Sequence, residues 1–128
     1  MFKLDSIQAA VLNIKLMFLD EWNRRRFHAA CRYSDGLKGL TSVLAPFFDP
    51  SRPSNHVFHL FVIQCERRDQ LQKFLGDRGI QTGVHYPIPI HQHEAFASWD
   101  YPKGTCPIAE ELATRILSLP MFPEITDE

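Results

Sequence analysis

Apolar residues recur at Ile7, Val11, Ile14, Phe18 and Trp22, then at Ala29 and Tyr33, spaced by three, four or seven positions. That spacing holds them on one side of a helix. A second stripe, Ala9, Leu12, Leu16 and Leu19, widens the apolar surface to most of the circumference in the first turns. The later turns are more polar, with Arg24, Arg25, Arg26 and Arg32. Asp5 or Ser6 suits the N-cap, and Gly36 and Gly39 are the stop signals. The pattern predicts one helix of about 30 residues, roughly 45 Å long.

The pattern then changes. Residues 40–55 are rich in turn formers, including Pro46, Asp49-Pro50 and Pro53, although residues 41–48 suit a short strand. Residues 56–64, His-Val-Phe-His-Leu-Phe-Val-Ile-Gln, are apolar on both faces and predict a central strand. Residues 68–78 read as a helix with Leu71, Phe74 and Leu75 inward, ended by Gly79 in the left-handed position. Residues 82–86 read as a second strand, stopped by Pro87 and Pro89. Residues 91–96 suit a short helix or turn. Pro107 opens a helix to about residue 117, with Ile108, Leu112 and Ile116 as its inner face. Residues 119–123 are extended. The order predicts an α+β fold, a small and mainly antiparallel sheet with flanking helices and a long N-terminal helix.

Composition adds boundaries. The chain has 128 residues and a net charge of −1, with a pI of about 6.6. No global basic field is offered to nucleic acid or to an anionic membrane. No apolar run reaches the roughly 20 residues of a membrane-spanning helix. Asp5 and Ser6 fall where a secretory signal would need its apolar core. Cys31, Cys65 and Cys106 are odd in number and widely spaced, which fits a reducing cytoplasm better than a disulfide framework. Length then conflicts with the first helix. A compact domain of this size is only about 35 Å across. The helix outruns it, so its apolar first half needs cover from a partner chain or from protein outside this sequence. Ile7, Val11, Phe18 and Leu19 are therefore expected to be exposed within one copy.

Candidate chemistry is sparse. His91-x-His93 and His56-x-x-His59 lack the companion ligands and spacing of a zinc site. Cys31 lies among arginines without a nucleophile's activating neighbours and reads as an inert thiol. Arg24, Arg25 and Arg26 spread over three helix faces, where Asp20 and Glu21 can pair with them. The unusual segment is 83–91, Gly-Val-His-Tyr-Pro-Ile-Pro-Ile-His. Prolines stiffen it, while histidine and tyrosine offer hydrogen bonds, so it is a binding-loop candidate or an aromatic corner closing the sheet.

Six ordered segments also carry a resemblance. They are residues 4–26 (Leu-Asp-Ser-Ile-Gln-Ala-Ala-Val-Leu, Lys15-Leu16, Trp22-Asn23, Arg26), residues 56–63, Arg68-Asp69-x-Leu71, residues 79–91, Cys106-Pro107-x-Ala109-Glu110, and residues 117–124 (Leu-Ser-Leu-Pro-Met-Phe-Pro-Glu). Together they resemble the C-terminal domain of nucleotide-sugar aminotransferases of the DegT/StrS type. The resemblance implies the small domain of an aspartate-aminotransferase-like fold. It implies pyridoxal phosphate (PLP) as cofactor in a parent enzyme that moves an amino group onto a keto-sugar nucleotide, and a dimer. It also implies that residues 1–128 are one domain of that parent, trimmed at both ends, with the large domain and its Schiff-base lysine lying upstream. No bound cofactor is expected on this chain, and the isolated chain is expected to be inactive. By position, His85, Tyr86 and His91 become substrate-binding candidates. His85 is favoured, because adjacent residues on a strand face opposite ways. Lys3 stands where the family reaches a neighbouring cofactor phosphate, and becomes the cofactor-binding candidate. Two alternatives stand beside this reading: a non-catalytic binding or assembly module of the same fold, associating through the first helix, and a fragment of a dehydratase relative.

Overall fold

The computed structural model describes residues 4–126. Four helices and two strands follow in the order α1 (Ser6–Leu16), α2 (Leu19–Gly36), β1 (Phe61–Gln64), α3 (Arg68–Gly76), α4 (Pro107–Arg115) and β2 (Ile116–Leu119). The mixed α+β architecture with an antiparallel sheet is as the pattern predicts. The single long helix is not. The main-chain ladder tightens at Met17 and Phe18, whose N–H groups reach Ile14 and Lys15 three residues back (3.3 and 3.0 Å). That junction divides the expected rod into helices of 11 and 18 residues. No proline or glycine marks it. Asp5 supplies the cap, its carboxylate accepting the Ile7 N–H at 2.8 Å.

The sheet pairs β1 with β2, Phe61 opposite Leu119 and Gln64 opposite Ile116. Each strand has a one-residue neighbour on its outer side: Leu44 bridges Gln64, and Gly83 bridges Ser118. β1 is thus hydrogen-bonded on both sides, as its apolar run suggested, but all three expected strands are shorter than their patterns. Phe58, at φ 47°, adopts the left-handed conformation and turns the chain, so pairing starts only at Phe61. Pro46 lacks the N–H that would continue the ladder beyond Leu44. After Gly83, the His85 side chain folds back over the strand. A Cβ on Gly83 would lie 2.7 Å from the His85 ring, so only glycine fits.

The core lies where the second half of α2 crosses this sheet. Ala30, Phe58, Phe61, Ile63 and Leu117 are fully buried. Phe58 meets the Phe48 ring edge-on at 4.9 Å, and Tyr33 stacks on Phe61 at 5.1 Å. Two residues expected inward lie outside. Phe74 is half exposed, its ring held under the Arg78 guanidinium at 3.5 Å. Ile108 is 72% exposed. It precedes Glu110 by two positions, about 200° around the helix, and Glu110 faces inward. Leu112 and Ala113 supply the inner face, and α4 ends at Arg115, so that Ile116, expected on the helix, opens β2. Gly79 does end α3 as expected, at φ 77°, and the Ile80 N–H closes on Leu75 O at 3.0 Å.

α1 buries nothing. Ile7 is 77% exposed, and Val11, Phe18 and Leu19 are exposed with it, in line with the expectation. The cause is sharpened: among the described residues, α1 has no buried side chain.

Candidate binding site at the end of the sheet

The site candidates sit around β2 and the start of α4. Ser118 is buried, and its hydroxyl lies 2.9 Å from His85 Nδ1. This fixes the His85 ring against the sheet. The next peptide, His85-Tyr86, is cis, and the two rings meet edge-on at 5.6 Å. Tyr86, itself largely exposed, helps to line an apolar cavity of about 550 Å³, bounded also by His91, Trp99, Tyr101, Leu112 and Ile116. The structure therefore brings Tyr86 and His91 to one cavity and leaves His85 outside its lining. Residues 84–86 are not in a strand, so alternation does not set their directions: the His85 ring meets Ser118, and Tyr86 lines the cavity together with His91. Lys3 lies outside the described residues.

His91 is held by Glu110, a residue that entered the sequence reading only as part of the segment Cys106-Pro107-x-Ala109-Glu110. Its Nε2 lies 3.0 Å from the Glu110 carboxylate. The same carboxylate accepts the Gly104 N–H at 2.8 Å and the Cys106 N–H at 3.3 Å. Both side chains are nearly buried, 11% and 12% exposed. Desolvation pushes the Glu110 carboxyl up, but the bonds from His91, Gly104 and Cys106 together outweigh it and hold it below the usual glutamate range. The available sequence signal was an acid in the first turn after Pro107, a position from which a carboxylate reaches back to free N–H groups.

Arg24 and Arg25 both bind Glu21 (2.8 and 2.7 Å), and Arg26 donates to the Val57 carbonyl at 3.0 Å. The arginine run is therefore a paired helix face. Burial and the Asp35 charge push the Cys31 thiol up, which keeps it protonated. His56 Nδ1 accepts the Phe58 N–H at 2.9 Å, inside a turn. Among the described residues, no group of three His, Cys, Asp or Glu side chains gathers, and no helix is long and apolar enough to cross a membrane.

Comparison with known proteins matches residues 1–128 to the model of the DegT/DnrJ/EryC1/StrS aminotransferase family. The erythromycin biosynthesis sensory transduction protein EryC1 of Saccharopolyspora erythraea is 45% identical over 126 residues, 98% of this chain and 34% of the relative. The dTDP-3-amino-3,4,6-trideoxy-alpha-D-glucose transaminase of Streptomyces venezuelae is 45% identical over 123 residues, 96% of this chain and 32% of the relative. DesV of S. venezuelae, solved in complex with a ketimine intermediate, superposes with a TM-score of 0.90 at 44% identity, covering 98% of this chain and 33% of that one. The chain spans about a third of the length of the curated relatives it matches.

Proposed function

This chain belongs to the DegT/DnrJ/EryC1/StrS aminotransferase family, and from that premise we propose that residues 1–128 form the C-terminal small domain of a PLP-dependent enzyme that transfers an amino group to a keto-sugar nucleotide. The match along the whole chain carries this reading, together with its coverage of only a third of each relative. The exposed apolar surface of α1 supports it, as a face that a large domain or a second subunit would cover. The reading includes association through α1, as a homodimer. It also includes a reducing cytoplasm, consistent with the free thiols of Cys31, Cys65 and Cys106.

Lys38 and Lys73 pair with Asp35 and Asp77 at the surface, and no lysine or arginine lines the cavity of Tyr86 and His91. The roles left to this chain lie on the substrate side. Tyr86 and His91 offer polar atoms at an apolar wall, an arrangement that orients a polar ligand. His85, tied to Ser118, sets the turn that aims Tyr86.

The test joins this chain to the N-terminal two-thirds of the S. venezuelae transaminase. The expected result is a fusion that binds PLP and aminates a dTDP-keto-hexose, with at least a tenfold loss in kcat/KM on His91→Ala. A folded, PLP-loaded fusion without amino transfer overturns the reading.

A further inference from the structure

Glu110 does more than cap a helix. An ionised carboxylate only accepts hydrogen bonds. Two of its partners, the Gly104 and Cys106 N–H groups, are obligate donors. The third, His91 Nε2 at 3.0 Å, must therefore carry a proton and donate it. In a neutral imidazole the other nitrogen, Nδ1, is then an acceptor. His91 and Tyr86 both line the cavity. Glu110 also grips both ends of the segment between His91 and Cys106, which is built from short 3-10 turns and supplies Trp99 and Tyr101 to the cavity wall.

We propose that Glu110 is a positioning residue: it holds the His91 ring as the Nε2–H form and leaves Nδ1 to accept from a hydroxyl or N–H group of a molecule in the cavity. Sugar hydroxyls and the imide N–H of a thymine or uracil base belong to that class. This role rests on reading the cavity as part of a sugar-nucleotide site. The state of the ring does not, so the two fail separately.

The experiment is NMR on the 128-residue chain with ¹⁵N-labelled histidine. The expected result is a slowly exchanging Nε2–H proton on His91 with a close contact to Glu110. Glu110→Ala should speed its exchange with water at least tenfold. Glu110→Gln keeps a carbonyl acceptor, so the signal should survive but move upfield as the bond loses its charge. A protonated Nδ1 in the neutral wild-type ring overturns the proposal. So does an Nε2–H that neither variant changes. If the alanine variant does not fold, the glutamine variant decides: an unmoved resonance means that the carboxylate does not receive this proton. A purely structural role would disturb the Gly104 and Cys106 amides and leave the ring signal in place. Each of these results is independent of amino transfer in the fusion.

Discussion

α1 and the region around Phe58 are both rich in apolar side chains, yet they do opposite things. Phe58 is 1% exposed and touches rings from three directions. α1 carries Ile7, Val11, Leu12 and Ile14 and hides none of them. The difference lies in the pattern and not in the amount of apolar surface. α2 is polar on one side and apolar on the other, so it can serve the sheet and the solvent at once. α1 has Lys15 as its one charge, and its apolar residues surround it. A helix of that kind specifies an environment covered on more than one side.

The comparison breaks most sharply in the core. Phe58→Ala removes a ring that fills the space between α2 and β1, and large-to-small core changes of this kind cost about 3–5 kcal/mol. Ile7→Ser with Val11→Ser should change the stability of one copy by less than about 1 kcal/mol, because both side chains already face water. Urea midpoints measured on both variants decide the matter. Equal losses would mean that α1 is part of the folding unit, contrary to its exposure.

Association sharpens the same contrast. Covering an Ile or Val side chain is worth about 1.5–3 kcal/mol. If α1 is a contact face, Ile7→Asp with Val11→Asp should weaken self-association at least tenfold, read by sedimentation velocity across a concentration series. Phe47, fully exposed but isolated on its loop, is the control. Phe47→Ser should leave the distribution of species unchanged, and an equal effect at both sites would make the association nonspecific.

These two regions also show what was legible in the sequence. The apolar run of β1, the left-handed Gly79 and the wide apolar face of α1 follow from spacing, because each depends on neighbours a few residues away. The length of β1 did not follow, because Phe58 takes the left-handed conformation while its ring sits in a pocket made by residues 27, 48 and 61. Phe74 and Ile108 show the same limit: periodicity gives a helix an apolar face, while Arg78 and the inward-facing Glu110 decide which residues occupy it. At the site, the stretch 83–91 stands out by composition, but the expected strand ends at the Gly83 bridge, so alternation does not decide where His85 and Tyr86 point. The pairing of His91 with Glu110 spans 19 positions and depends on how residues 92–106 fold back. No local pattern encodes that return.

The smallest effect is expected at that return, and it depends on pH. The folded state holds the Glu110 carboxyl below the ordinary glutamate value of about 4.3. In that window the unfolded chain binds more protons than the folded one, so the carboxylate's contribution is complete above about 4.3 and is lost as pH falls through the lower folded value. Acidification should therefore release the Gly104 and Cys106 amides, while the Ile63 and Leu117 amides of the sheet stay protected. Hydrogen exchange between pH 6 and 3 reads this directly. Simultaneous loss at all four amides would mean global acid unfolding and would make the segment part of the core. Loss at Gly104 and Cys106 alone, abolished in Glu110→Gln, would show a wall held by one carboxylate beside a sheet held by packing.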